Sequence, residues 1–400
     1  MQLKLQFGYG MMDHSRVLID TWKGGSVILS PRDLSPVQLE RLAGQITSLQ
    51  GGEVLLDPQF YLPYADHERL TSHEYWPSAY STDVFWTGSE IRGLMKKLVD
   101  LNRSLGCKTL ILPGLYTEQV DEDWIARQSA FIEEAKALSS NPLLVTVALG
   151  ADAVKSDESI DEILAASEGW DVSGIYLLCE HPNGEYLVTD PNWLANALDL
   201  VAGLKLKGKK VLAGYCNHQM LVLAAAGVDW IASGTWMNVR SFPPDKFRAP
   251  YDDEIKQRST WYYCPQAFSE YKVPFLDIAK KQGLLDRLAP PVALGSVHAD
   301  VLFSGIQPTS ARWTEQSAFR HYLHCLWSQT NSARHGTFDQ TVDEHERALD
   351  AAEGLLASLQ AVGVRGQLRD FSSALDVNRA ALSVLRSSRG PTLRRKWATL

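Results

Sequence analysis

Short apolar runs alternate through residues 1–240 with longer stretches whose apolar positions fall three and four apart, the mark of β/α architecture. The runs predict eight strands, at Leu3–Phe7, Ser26–Ser30, Glu53–Asp57, Thr109–Pro113, Leu143–Leu149, Gly174–Cys179, Lys210–Tyr215 and Asp229–Gly234. Helical spacing predicts crossovers over Ser35–Leu49, Ser89–Leu105, Asp121–Leu138, Ile160–Ser167, Asn192–Leu204 and Gln219–Ala226. Several open on Ser, Asp or Asn and close near Gly, as helix ends require. Asn217, for example, sits where an N-cap belongs, and Gly227 ends the turn before the last apolar run. Eight strands in one rhythm favour a closed (β/α)8 barrel of the TIM type over an open doubly wound sheet. No GxGxxG follows the first strand and no GxxxxGK[ST] occurs, so dinucleotide and P-loop folds lose support.

From Ser241 the rhythm stops. Residues 241–310 are rich in Pro and aromatics (FPPDKF, WYYCPQAF, LAPP) and read as a connector with short helices. Residues 311–400 return to helical spacing at Glu315–Gln329, Val342–Val362 and Phe371–Leu385, predicting a C-terminal helical layer packed on the barrel.

Composition narrows the class. The 400 residues are 45% apolar and 22% charged, enough to build a large core without disulfides. Cys107, Cys179, Cys216, Cys264 and Cys325 are scattered without a CxxC pair, which reads as reduced thiols in a cytoplasmic protein. Neither a signal-peptide pattern nor a membrane-length apolar run is present. A net charge of −8 argues against indiscriminate nucleic-acid binding but leaves room for a local basic groove. The run Arg386, Arg389, Arg394, Arg395 and Lys396 reads as a solvated tail.

In a TIM-type barrel the residues just past the strand C-termini line the chemical mouth. Here they include Arg32, Asp33, Asp57, Gln59, Tyr61, Tyr116, Asp152, Glu180, His181, Asn217, His218, Thr235 and Trp236. Asp57 ends an apolar VLLD strand, and an acid there needs either a task or a partner such as Arg32. Glu180 and His181 could be an acid/base pair, although adjacent residues at a strand end point to opposite sides. His218 is either a catalytic imidazole or a contact at a helix start. His321 and His324, three apart on one helix, could with Cys264 or Cys325 hold a tetrahedral zinc. A stacked face around Tyr322 and Trp327 is the other reading. No GxSxG or HExxH supports an esterase or a zincin.

Three stretches together resemble the tRNA-guanine transglycosylase superfamily, including its branch that inserts 7-deazaguanine bases into DNA. VILSPRDL followed by GGEVLLDPQFY is similar to a strand pair ending in DSGGFQ or DSGSYQ, which would set Asp57 on the base-contacting Asp. AAAGVDWIASGTWMNVR resembles the last barrel strand, GVDLFDS, with an Arg following. FRHYLHCL resembles the RAYLHHL helix that supplies a zinc-binding His after a Cys cluster. The likeness spans Ser26 to Leu326 and implies base exchange through a carboxylate that attacks the sugar C1′.

This chain departs from the pattern where the chemistry lies. Ala232 stands at the nucleophile position and cannot form a covalent glycosyl intermediate. Asp229 aligns with the first Asp of the motif, on the opposite strand face. Leu112–Gly114 replaces the base-reading FDECT strand, an ALG ending at Gly150 replaces VQGG, and Cys264 alone remains of the cysteine cluster.

The leading expectation is therefore a transglycosylase-like barrel acting on a nucleobase or nucleoside unit, free or within tRNA or DNA, with no required cofactor. Asp57 would be the acid/base group, Asp229 or Glu180 the stabilising carboxylate, Arg240 a phosphate contact, and Tyr61 or Trp236 a stacking face. His181 and Asn217 would line the substrate site. The competing expectations are a barrel that has lost catalysis and binds nucleic acid or partner proteins, and an unrelated barrel enzyme with His181 or His218 as base.

Overall fold

Parallel strands bury both faces and so need helices outside and a filled interior. A computed structural model describing residues 1–248 and 260–400 meets both needs. The strands are β1 (Gln2–Gln6), β2 (Gly25–Leu29), β3 (Gly52–Leu56), β4 (Leu110–Ile111), β5 (Tyr116–Thr117), β6 (Leu143–Leu149), β7 (Gly174–Cys179), β8 (Lys210–Ala213) and β9 (Trp230–Ser233). They are joined in the order β3-β2-β1-β9-β8-β7-β6-β4, all parallel, with β5 a short addition to β6. Pairing of β9 with β1 curls the sheet round. The remaining seam, beyond β3, is stitched where the Tyr116 N–H donates to the Tyr61 carbonyl at 3.0 Å. The chain is a nearly closed (β/α)8 barrel.

All eight expected strands are present, and so are the crossovers. The Ser35 helix runs over Pro36–Thr47 with a capping box closed by Gln38. The segment expected as a helix over Gln219–Ala226 is instead a 3-10 helix, His218–Ala226, with all nine residues buried. Helix Met11–Trp22 and strand β5 were not expected. The buried face of that helix is Met11, His14, Ser15, Leu18 and Ile19, two of them polar.

Register sorts the interior into layers, because residues paired across parallel strands point the same way. Lys4 pairs with Ala232 and Gln6 with Ile28; Ser26 pairs with Glu53, and Tyr176 with Leu212. Alternation along β3 then carries the inward face from Glu53 through Leu55 to Asp57.

The Pro- and aromatic-rich stretch holds more order than expected, although its residues 249–259 lie outside the described ones. An antiparallel hairpin pairs β10 (Trp261–Cys264) with β11 (Ser269–Lys272), and helix Val273–Lys281 follows. Helices Glu315–Ser332, Phe338–Ala361 and Leu375–Ser388 form the C-terminal layer, the last packed on helix Pro191–Leu206. One contiguous apolar core joins barrel and layer, from Leu3 to Trp397. No helix among the described residues is long and apolar enough to cross a membrane.

The C-terminal basic run is solvated only in part: Arg395 and Lys396 are exposed, whereas Arg386, Arg389 and Arg394 are ion-paired. Arg389 forks onto Asp199 at 2.8 and 2.7 Å, Arg386 pairs with Asp343 and Glu346, and Arg394 pairs with Asp339. The charges index the chain end onto the helices while Trp397 inserts against Phe338, its indole N–H donating to the His335 carbonyl at 2.9 Å. Trp397→Ala should therefore cost about 3–5 kcal/mol of unfolding free energy. Denaturant titration checks it, and a loss under about 1 kcal/mol would show that the end is only loosely docked.

Candidate functional site

The most unusual group in the barrel is the Asp57 carboxylate, fully buried at the C-terminal end of β3. Burial of such a charge is tolerable only with donors around it. Tyr61 Oη donates at 2.7 Å, Tyr176 Oη at 3.2 Å, Tyr215 Oη at 3.3 Å and the Gln59 N–H at 3.0 Å. The donors come from three places round the barrel: the β3 loop, the middle of β7 and the end of β8. Tyr176 reaches across because Gly214 is bare; a Cβ there would lie 2.6 Å from the Tyr176 ring. Gln59 ties this cluster to Ser30 and Tyr215, and the single Tyr176 O–H is shared between Asp57 and Gln6 Oε1, 3.0 Å away. Both Gln59 and Tyr215 hold φ of 54°, a conformation that non-glycine residues avoid. Strained backbone gathered at one polar cluster is a feature of functional sites.

Burial pushes the Asp57 carboxyl up to about 6, against the pull of the hydroxyls and the Gln59 N–H. The group is thus poised to exchange a proton near neutrality.

The mouth above Asp57 is closed by the loop that follows β9. Phe242 packs edge-on to Tyr61 at 5.2 Å and lies 5.4 Å from Tyr215 and 6.4 Å from Tyr116; Phe247 lies 4.8 Å from Tyr61. Arg32 holds this loop down, its Nε donating to the Lys246 carbonyl at 2.7 Å, and it pairs with Asp33 rather than Asp57. At the rim, half-buried Glu180 accepts from Tyr116 Oη at 2.5 Å, and burial raises its carboxyl as well. Among the acids of the mouth, Asp57 lies under the aromatic plug and Glu180 at the rim, where Glu118 also accepts from Tyr116 Oη at 3.2 Å, while Asp33 is paired with Arg32.

Other expected site residues lie elsewhere. Asp229 immediately precedes β9, whereas Asp57 immediately follows β3; in a parallel barrel these are opposite ends. There Asp229 binds Lys205 at 2.8 Å and the Val211 N–H at 2.8 Å, an anchor for the strand start. Asp57, Glu180 and Asp229 cannot surround one sugar. Asn217 caps the 3-10 turn and donates to the Tyr186 carbonyl. His181 bonds the Glu185 carbonyl at 2.9 Å and packs on Trp193, away from the mouth. His218 is enclosed by Tyr186, Tyr263, Tyr322 and Phe371, between barrel and hairpin. Burial lowers both imidazoles to about 4, so each is neutral at pH 7.

Arg240 is not placed to meet a phosphate. It is buried over the Tyr322 ring, 3.4 Å from its centroid, and paired with Glu270, which also binds Arg369 at 2.7 Å. Burial alone would raise Glu270, but Arg369 and Arg240 hold it at about 2. Trp236 is a partly exposed rim residue bonded to the Tyr9 carbonyl at 3.2 Å and packed on Phe319. The roles of Tyr176, Gln59 and Tyr215 in the Asp57 cluster were not expected, although inward alternation from Gly174 would have pointed to Tyr176.

The zinc set does not assemble. Both nitrogens of His321 are used, by Ser296 Oγ and the Tyr263 carbonyl at 2.8 Å each. Those of His324 meet the Trp22 indole N–H at 3.2 Å and the Leu294 carbonyl at 3.1 Å. Cys264 is buried in β10 with its thiol pushed up by burial, and His321 stacks on Tyr262 at 5.1 Å. Among the described residues no three His, Cys, Asp or Glu side chains converge on a metal position.

No family model and no curated protein matches this chain. Solved structures resemble it weakly. Dihydrodipicolinate synthase from Acinetobacter baumannii is 10% identical over 90% of this chain and 98% of its own, with a TM-score of 0.33. The carboxyl transferase domain of Rhizobium etli pyruvate carboxylase is 12% identical over 97% of this chain and 60% of its own, with a TM-score of 0.37. Active domain 2 of Pyrococcus furiosus chitinase is 10% identical over 57% of this chain and 82% of its own, with a TM-score of 0.34. Neither substrate nor mechanism transfers at such distances.

The Asp57 carboxyl sits at about 6 in the folded chain against an ordinary 3.8, so folding favours its protonated form. That contribution is complete below the ordinary value and is lost as pH rises through about 6. Asp57→Asn keeps a neutral group there at every pH. Its stability relative to the parent should therefore climb between pH 3.8 and about 6 and then level. Denaturant midpoints measured across that window check this, and a flat difference would show that Asp57 is not held protonated.

Proposed function

We propose that the C-terminal mouth binds a planar, hydrogen-bonding ring of the nucleobase type, read by Asp57 and its tyrosines, without a covalent glycosyl intermediate. One observation carries the reading. Phe242 and Phe247 occupy an aromatic cage, formed by Tyr61, Tyr116 and Tyr215, directly above a buried carboxyl and a strained polar floor. Such a cage suits any flat ring, because stacking tolerates changes in ring identity, while the floor supplies the directional contacts. With the plug displaced, Asp57 would accept from ring N–H groups, and the tyrosine hydroxyls it releases could donate or accept. Glu180, with Tyr116 beside it, would stand at the outer edge, where a sugar attached to the ring would emerge.

The resemblance of VLLDPQFY to the transglycosylase base-contacting motif supports the same ligand class, and 7-deazaguanine is its natural probe. The last strand supplies no attacking carboxylate: Ala232 shares the inward face with Lys4, and Asp229 is at the other end. If chemistry follows binding, Glu180 assists at the glycosidic bond while Asp57 exchanges a proton with the ring it holds, with water or an incoming base as nucleophile.

Calorimetric titration with free 7-deazaguanine and guanine tests the proposal. Binding should occur, Asp57→Asn should weaken it about ten- to a hundred-fold, and Phe242→Ala should tighten it by clearing the cage. No binding by parent or Phe242→Ala protein would overturn the reading. Labelled base incubated with tRNA or duplex DNA separates recognition from exchange. Trapping of a covalent enzyme-polymer adduct would contradict the absence of a nucleophile.

A further inference from the structure

The opposite mouth of the barrel is also built round a polar side chain. Lys4, on the inward face of β1, donates to Ser26 Oγ at 2.9 Å, and its Nζ lies 5.0 Å from the Trp230 ring centroid. A cavity of about 540 Å³ opens onto it, bounded by Glu53, Lys108, Lys210 and Trp230 among others. Lys108 is bonded to Glu53 at 3.0 Å, and Lys210 Nζ lies 5.8 Å from the same Trp230 ring. Lys108 and Lys210 are exposed at the opening, whereas Lys4 stands deeper. Three cationic side chains thus face one carboxylate around a space large enough for a small molecule. None of them takes part in the Asp57 cluster.

We propose that this N-terminal mouth is a second site, for a small anionic carbonyl compound, with Lys4 as its nucleophile. The exposed ammoniums of Lys108 and Lys210 draw the anion in, and the Trp230 ring forms a wall. Ser26 Oγ fixes the Lys4 amine by accepting one N–H and leaves the nitrogen lone pair free to turn to the cavity. Burial lowers the Lys4 ammonium to about 8, opposed by Glu53, so a useful fraction is free amine near neutral pH. The amine nitrogen adds to the carbonyl carbon and the carbonyl oxygen takes a proton, giving a carbinolamine. Loss of that oxygen as water, with the two former amine protons, leaves a C=N imine. One C–N double bond replaces the C–O double bond, and nothing is oxidised or reduced.

The test uses the full chain, glyoxylate as anionic probe, glycolaldehyde as neutral control and cyanoborohydride to reduce any imine to a stable amine. Peptide mass spectrometry then locates the adduct. The expected result is one glyoxylate-derived adduct per chain, at Lys4, formed well ahead of any at exposed lysines. Lys4→Arg should abolish it. Lys210→Met, an exposed change that spares the fold, should slow glyoxylate labelling of Lys4 about ten-fold and leave the neutral aldehyde's rate unchanged. Adducts spread over exposed lysines with Lys4 no faster would overturn the proposal. So would equal labelling of Lys4 by both aldehydes in the parent, which would show a reactive amine without an anion site.

Discussion

A carboxylate buried at the end of a barrel strand must be met by donors from several directions, and the upper half of this molecule is arranged to supply them. Tyr61 follows Asp57 in the same loop, but Tyr176 and Tyr215 come from β7 and β8, so they reach Asp57 only when the sheet has curled into the barrel. Closure and polar satisfaction therefore depend on each other. Gly214 leaves room for the Tyr176 ring, and Gln59 and Tyr215 accept left-handed backbone to aim their side chains. Removing one donor would leave a buried charge under-paired, a larger penalty than the bond itself contributes.

The two ends of the barrel carry different chemistry. The C-terminal mouth is acidic and aromatic, sealed by Phe242 and Phe247 and strapped by Arg32. The N-terminal mouth is cationic and open, with Lys4 at its floor. Between them the interior is filled by side chains in layers, so the two mouths are separate compartments rather than one channel. Asp229 belongs to the second end, which is why it cannot assist chemistry at the first. The hairpin adds a third polar centre, where Glu270 of β11 binds Arg240 and Arg369 beside Tyr322. That centre locks the hairpin and the Arg369 segment against the barrel.

Local pattern determined the eight strands, the major crossovers and the three C-terminal helices, because each depends on apolar spacing within one segment. The same rule missed helix Met11–Trp22, whose buried face carries His14 and Ser15, and it took a wholly buried 3-10 turn for an amphipathic helix. Asp57 was legible as the residue of interest because an acid ending an apolar strand is costly without partners. Tyr61 was legible too, four residues on.

Direction and partnership were decided only by tertiary structure. His218, Arg240, Asn217, His321 and His324 are residue types that often do chemistry, and their positions in the chain are consistent with it. The fold instead spends their polar atoms on carbonyls, hydroxyls and a buried carboxylate, or encloses them among rings. Arg386, Arg389 and Arg394 look solvated until Asp343, Asp199 and Asp339, far away in sequence, are brought beside them. The sequence by itself determined which segments are strands and helices and which acid is out of place. The tyrosines of β7 and β8 that reach that acid, the partners that absorb the other polar groups and the aromatic plug over the mouth are set by contacts between distant strands and loops. Such contacts exist only after closure, and no local spacing records them.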